Sequence, residues 1–447
     1  MSIRSIVDSL IELDIHLSIE EGELKVRGSK ENLTQDVVEK IKVNKQALIG
    51  LLSTKKFNNA SDPMKVNRSS LTSSKEPIIE PAKHLDFGIF YFGNADVEKE
   101  KYKLLINGAK HADKNGYTCV WTPERHFHEF GGLYPSPSVL GSALAMITEK
   151  ISIRAGSVVV PLHNELRVAE EWSVIDNLSN GRVGIACASG WQPNDFVLAP
   201  DIYSNRHEIM YEKIEKIRRL WRGEYILLKD GNGFAKETRI FPKPIQNELP
   251  IWITSRGHVE TFKSAGRLGL NVITHLLGET IEELFVKIKE YRNEYKKHFP
   301  EKEPGKVVLM LHTFIGENLE DTYSKARAPF INYLRTALGL IRNLALSRGY
   351  DIDAENFSAK DLDGMLDYAF DRYASESSLI GTKQNRIHLL QAISRIGVDE
   401  IACLIDFGIG YSATMRGLEL LTELKDEYNL EVDKNRKREL WPLHQQE

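Results

Sequence analysis

The sequence predicts an α/β protein: a (β/α)8 TIM barrel with a helical insertion before the last strand, preceded by a small α+β unit. Three observations carry this. Between residues 84 and 447, short β-branched apolar runs alternate with amphipathic helical stretches, eight of each. The runs close on polar residues and glycines, as buried parallel strands do when they present chemistry at their C-terminal ends. No Gly-x-Gly-x-x-Gly opens a helix after the first run, and no Walker-type Gly-Lys-Ser/Thr occurs, which counts against an open doubly wound sheet.

Residues 1–53 read as a separate miniature unit. Ile3, Ile6, Val7 and Leu10 recur at helical spacing. Ile15, Leu17 and Ile19 then alternate, Glu21-Gly22 makes a turn, and Leu24 and Val26 alternate again, giving a hairpin with one apolar face. Thr34 can cap a second helix that carries Val37, Ile41, Leu48 and Leu52 on one side. A unit of roughly 50 residues buries little surface, so dimerisation or a partner is expected to support it. Its hairpin edge could receive an extended peptide by strand addition, or the unit could simply pack on the body. Residues 54–83 are rich in Ser, Asn, Thr and Lys, carry Pro63, Pro77 and Pro81, and read as a flexible tether.

In the body, strands are expected at 87–92, 118–121, 153–160, 183–186, 251–254, 271–274, 307–315 and 400–405. Helices are expected at 97–115, 168–178, 204–221 and 282–295, and a mostly helical excursion at 329–384. The net charge of −4 over 447 residues requires no nucleic acid or other polyanion. Cys119, Cys187 and Cys403 lie in apolar runs without metal-ligand spacing and read as reduced core residues. With no signal core and no apolar run long enough to span a membrane, a soluble cytoplasmic protein is expected.

Several segments at strand ends could carry chemistry. Glu124-Arg125-His126-Phe127-His128 follows the second strand, where imidazole can exchange protons near neutral pH. The same histidines, with His275, His312 and Asp406, also admit a metal-dependent hydrolase. Residues 254–261, Thr-Ser-Arg-Gly-His-Val-Glu-Thr, follow the fifth strand and open a helix. Free N–H groups, hydroxyls and an arginine there suit a phosphate, although helix capping by Ser255 would explain half of them. Ser189-Gly190 offers another small polar turn. Gly156-Ser157 lies inside the third strand, where a glycine implies a bend or the close approach of a flat ring. Phe90, Tyr91, Trp121, Phe127, Phe130, Tyr134 and Trp191 lie near strand ends and could wall a pocket.

These residues carry a resemblance. Trp121-Thr-Pro-Glu-Arg-His-Phe, Phe130-Gly-Gly-Leu-Tyr, Arg154-Ala-Gly-Ser-Val-Val-Val-Pro-Leu-His, Gly181-Arg-Val-Gly-Ile, Ala188-Ser-Gly-Trp-Gln-Pro-Asn-Asp-Phe and Thr274-His-Leu-Leu-Gly resemble the bacterial luciferase-like flavin monooxygenases. The likeness spans residues 85–430 and is greatest to the branch found beside nonribosomal peptide and polyketide assembly lines. It implies a barrel that binds reduced FMN, supplied by a separate flavin reductase, with O2 as cosubstrate. Ser255, Arg256, Gly257 and Thr261 would hold the flavin phosphate, with Ser189, Gly190 and Trp191 beside them. Gly156-Ser157 matches the place of a non-prolyl cis peptide beneath the isoalloxazine. Glu124, Arg125 and His126 stand at the catalytic positions, and no resident metal is implied.

Two departures matter. Arg125 replaces the first of two adjacent histidines, and Ala188 stands at the reactive-cysteine position, with Cys187 one residue earlier. Both argue against light emission from a long-chain aldehyde. Arg125 could instead stabilise negative charge on the reacting oxygen or bind an anionic part of the substrate. Residues 1–53 resemble TubC-type docking domains, with Lys40, Lys42 and Lys45 on the second helix, and this implies capture of the C-terminal tail of an upstream synthase subunit. The expectation is therefore a two-component monooxygenase, homodimeric, acting on a carrier-protein-tethered intermediate by oxygen insertion or by N- or C-hydroxylation. A deazaflavin-dependent dehydrogenase and a non-catalytic docking subunit are the remaining alternatives beside the hydrolase.

Overall fold

In a computed structural model of the chain, the described residues are 16–20, 23–27, 41, 81–93, 100–347 and 359–440. The chain divides into two compact units, residues 1–78 and 79–447. In the first, strands β1 (His16–Glu20) and β2 (Glu23–Arg27) pair antiparallel. Leu17 stands opposite Val26 and Ile19 opposite Leu24, which is the register that the apolar alternation demands. The two expected leader helices and nearly all of the tether lie outside the described residues; Ile41 is helical and buried.

The second unit is a closed parallel barrel. In chain order its elements are β3 (Asp86–Phe90), α1 (Lys103–Lys114), β4 (Cys119–Thr122), α2 (Pro137–Ala145), β5 (Ser152–Val159), α3 (Glu165–Ser179), β6 (Val183–Ala188) and α4 (Arg206–Trp221). A hairpin, β7 (Ile226–Lys229) and β8 (Ala235–Thr238), precedes β9 (Ile251–Thr254), α5 (Val259–Arg267), β10 (Asn271–His275), α6 (Ile281–His298) and β11 (Val307–Gly316). The insertion holds α7 (Leu319–Ser347), α8 (Ala359–Glu376) and β12 (Leu379–Thr382), before α9 (Lys383–Arg395), β13 (Glu400–Leu404) and α10 (Tyr411–Leu440). Strands 3, 4, 5, 6, 9, 10, 11 and 13 pair in that order, and β13 pairs back with β3 to close the ring.

All eight expected barrel strands are present within one or two residues. Three strands were not foreseen. The β7–β8 hairpin is mostly exposed and lacks a buried alternating face. β12 is a four-residue run inside a helical context, and it pairs with the far end of β11, Thr313 opposite Leu379 through Gly316 opposite Thr382.

Toward the N-terminal ends of its strands the barrel encloses a buried ion pair beside an apolar cluster. Arg154 of β5 donates from Nη1 to Glu400 of β13 at 2.8 Å, and Trp121 Nε1 donates to the same carboxylate at 3.1 Å. The Arg154 guanidinium lies 5.0 and 4.5 Å from the Trp121 and Trp252 ring centroids. The three cysteines are free and buried as expected; burial pushes the Cys403 thiol up to about 12. Among the described residues no helix is long and apolar enough to cross a membrane.

Candidate active site

The C-terminal ends of β4, β5, β6 and β9 bring the sequence-selected segments together. Directly after β4, the Glu124 side chain is fully buried and accepts three hydrogen bonds. His126 Nε2 and His163 Nε2 each reach Oε1 at 2.7 Å, and the Val159 N–H reaches Oε2 at 2.7 Å. Burial acts to raise its pKa, but the two imidazole hydrogen bonds, the His163 charge and the Val159 N–H outweigh it and hold the carboxyl below its usual value. Glu124 thereby ties the β4 loop to the end of β5.

β5 carries the predicted irregularity. The Gly156–Ser157 peptide is cis, and the register with β6 shifts between Gly156 and Val158. The glycine is required from the barrel side, since a Cβ there would lie 2.7 Å from the Phe90 ring and 3.1 Å from Trp121 Cβ. Ser157 Oγ lies 2.6 Å from Thr254 Oγ1 at the end of β9.

Arg125 faces the β6 end. It is 2 % exposed and forms a buried ion pair with Asp195, while burial pulls its pKa down and pushes that of Asp195 up against their mutual attraction. Its guanidinium lies 5.5 Å from the Trp191 ring centroid, and that of Arg256 lies 5.2 Å from the same ring. Two arginines from different strand ends thus meet on one indole. Gly190 takes φ +79°, and its carbonyl accepts from Arg206 Nε at 2.9 Å, which fixes the turn carrying Ser189 and Trp191.

After β9 the backbone turns through Ser255, Arg256 and Gly257. The buried Ser255 accepts the Gly257 N–H at 3.2 Å, so it shapes this turn rather than capping α5, whose N-cap is His258 with no side-chain cap. Gly257 has φ +90°, and a Cβ there would overlap the Glu279 carboxylate, which Lys287 holds. Thr261 lies one turn into the helix, its N–H on the His258 carbonyl. A turn of small residues at a helix start beside Arg256 is a setting that favours an anion.

The histidines of the hydrolase alternative are held apart. His126 is bound to Glu124; His128 Nδ1 accepts from the Phe130 N–H, and His275 Nδ1 from the Leu277 N–H. His275 is pushed down to about 4 by burial and the Arg256 charge. His312 is buried against Tyr333 and Tyr373, bonds the Tyr373 hydroxyl, and is lowered to about 3 by burial. Among the described residues no group of three or more His, Cys, Asp or Glu is placed to hold a metal ion. Asp406 belongs to a cavity of about 360 Å³ walled by Phe92, Tyr134, Tyr333, Phe407 and Tyr411; it accepts the Tyr134 hydroxyl at 2.7 Å, and the Tyr134 carbonyl accepts the Arg125 N–H.

Two partners in this arrangement had no role assigned from sequence: His163 and Asp195. Each lies within or beside a quoted segment, so proximity was visible. What links them is side-chain pairing between strands more than thirty residues apart, which spacing does not encode.

Comparison with known proteins identifies the family and the fold. Residues 85–400 match the family described as luciferase-like monooxygenase, and residues 3–53 match the TubC N-terminal docking domain. The oxygenase component of flavin-dependent trigonelline monooxygenase from Acinetobacter baylyi is 27 % identical over 335 residues, 72 % of this chain and 88 % of that protein. Two solved structures share the fold: monooxygenase RslO1 from Streptomyces bottropensis (TM-score 0.62, 20 % identity, 76 % of this chain and 98 % of that one), and the oxygenating constituent of 3,6-diketocamphane monooxygenase from Pseudomonas putida (TM-score 0.59, 15 % identity, 76 % and 96 %). The second is a type II Baeyer–Villiger monooxygenase in complex with FMN. The chain belongs to the luciferase-like monooxygenase family and joins that barrel to an N-terminal TubC docking domain.

Proposed function

We propose that this protein is the oxygenase of a two-component, FMN-dependent system that acts in trans on an intermediate tethered to a carrier protein. The observation that carries the cofactor assignment is the meeting of Arg125, Trp191 and Arg256 beside the Ser157–Thr254 pair. The residues present fit a polar, flat guest. Arg125 Nε and Nη2 and Gln192 Nε2 are buried donors with no hydrogen-bond partner, and they call for an acceptor; Asp195 Oδ1 beside them is a buried acceptor equally without one.

Ser255, Arg256, Gly257 and Thr261 would hold the flavin phosphate with Ser189, and Gly156-Ser157, Gly190 and Trp191 would border the ring. When bound, reduced FMN supplies the electrons that activate O2 for transfer of one oxygen atom. Arg125 orients and neutralises an oxygen that gains negative charge, and its burial strengthens that interaction. His126 holds or moves a proton at the ring nitrogen not bound to Glu124. The cavity beside Asp406 adjoins Arg125 through Tyr134 and offers the substrate an aromatic wall that excludes water.

The remaining assignments rest on the docking domain and on surface character. Residues 1–53 would receive the C-terminal tail of an upstream nonribosomal peptide or polyketide synthase subunit, with the hairpin β1–β2 offering an edge for strand addition. A separate flavin reductase supplies the reduced cofactor. A homodimer is supported by Val139, Met146, Val174 and Leu178, exposed on and beside the packed helices α2 and α3. The domain division follows as residues 1–53 for docking, 54–83 for the tether and 84–447 for the barrel.

The test is mass spectrometry of carrier-bound intermediates incubated with the protein, reduced FMN and labelled O2. Incorporation of one labelled oxygen is the expected result. A protein that binds no FMN in either redox state would end the proposal.

A further inference from the structure

We propose that His163 is a positioning residue that fixes the tautomer and orientation of His126 through the buried carboxylate of Glu124. Both imidazoles reach Glu124 Oε1 through Nε2, each at 2.7 Å. A carboxylate accepts and does not donate, so each Nε2 carries its hydrogen toward Glu124. For His126 this leaves Nδ1 as the lone-pair atom, the one able to take a proton from a reacting group.

The arrangement is anchored from several elements. His163 directly precedes Asn164, the N-cap of α3, and its carbonyl accepts from Lys213 Nζ of α4 at 2.6 Å. The second Glu124 oxygen is occupied by the Val159 N–H at the end of β5. A carboxylate held at both oxygens cannot rotate, and its orientation then sets that of His126. The His163 side chain is one-third exposed, whereas the carboxylate it steadies is fully buried. The charged groups facing His163 are Glu124 and Glu171, which favour its protonated form, and Lys213, which opposes it; burial also opposes it, and the net shift is upward.

The role of His126 in the reaction rests on the proposed function; the tautomer claim does not. The test therefore reads the nitrogen states of His126 by 15N–1H imidazole correlation in the FMN-free full-length protein, assigned with His126→Gln. The expected spectrum shows the Nε2-protonated tautomer. His163→Ala is expected to mix the tautomers, and His163→Gln, whose amide can still donate to Glu124, is expected to restore the single form. In turnover, His163→Ala is expected to lower kcat at least tenfold with KM within twofold, and His163→Gln to recover most of it. An Nδ1-protonated His126 in the unmodified protein would overturn the proposal without any variant. So would an unchanged His126 spectrum in His163→Ala. If oxygen transfer is absent but the tautomer shifts as stated, the functional assignment fails and the positioning relation stands.

Discussion

Arg154 of β5 and Glu400 of β13 form an ion pair inside the barrel, where stacked aliphatic layers are usual. Glu400 is fully buried and also takes the Trp121 indole N–H and the Cys119 thiol. Losing one partner would leave the other charge stranded in the interior. Glu400→Ala is expected to cost about 3–5 kcal/mol in urea unfolding. The paired replacement Arg154→Met with Glu400→Leu is expected to recover most of that loss.

Glu124 links stability to acidity. Its folded pKa lies below that of the unfolded chain, so its contribution is present above the unfolded carboxyl value of about 4.3 and is lost as pH falls through the folded one. Glu124→Gln is expected to be about 1–3 kcal/mol less stable than the parent at pH 6. The gap between the two unfolding curves should narrow as pH falls below the unfolded carboxyl value and on through the lowered folded one, as the parent carboxyl takes its proton. A gap constant with pH would contradict the assignment.

At the proposed phosphate turn, Arg256→Ala is expected to weaken FMN binding roughly ten- to a hundred-fold, the scale of one lost charge-assisted hydrogen bond. Fluorescence titration at low and high salt checks this, and the loss should shrink as salt rises.

Gly257→Ala acts on the same turn by shape. The new methyl meets the Glu279 carboxylate and demands a left-handed backbone that alanine resists. FMN affinity is expected to fall by more than the thermal midpoint suggests, because the residues displaced are those proposed to hold the phosphate.

Deleting residues 1–60 is expected to leave FMN affinity unchanged while abolishing capture of the upstream subunit's tail in a pull-down with the purified partner peptide. Residues 79–447 form a compact unit of their own, which is why the body should survive the cut.

The fold was legible because each barrel strand is a buried run bounded by turn residues, and burial on both faces leaves a strong apolar signal. The β7–β8 hairpin and β12 escaped notice for the opposite reasons: one has no buried face, the other is too short to show a period. At the site, Arg125, Trp191 and Arg256 were each selected by position, and the structure brings them onto one ring. Glu124 shows the limit. Its place after β4 suggested direct chemistry, but the three donors that enclose it come from the β4 loop, the end of β5 and the turn before α3. Such convergence depends on how strands pack and leaves no trace in local spacing.

β11 is ten residues long, and its two barrel neighbours β10 and β13 have five each. Its first half completes the ring of staves, and its last four residues rise past the rim to carry β12. The insertion is therefore joined to the sheet by a projecting post, while its Phe330 and Tyr333 rest on Phe407 and Phe92 at the barrel mouth. Replacing the insertion with that of a relative is therefore expected to reshape the cavity wall that Tyr333 supplies while the pairing of the eight staves stays intact.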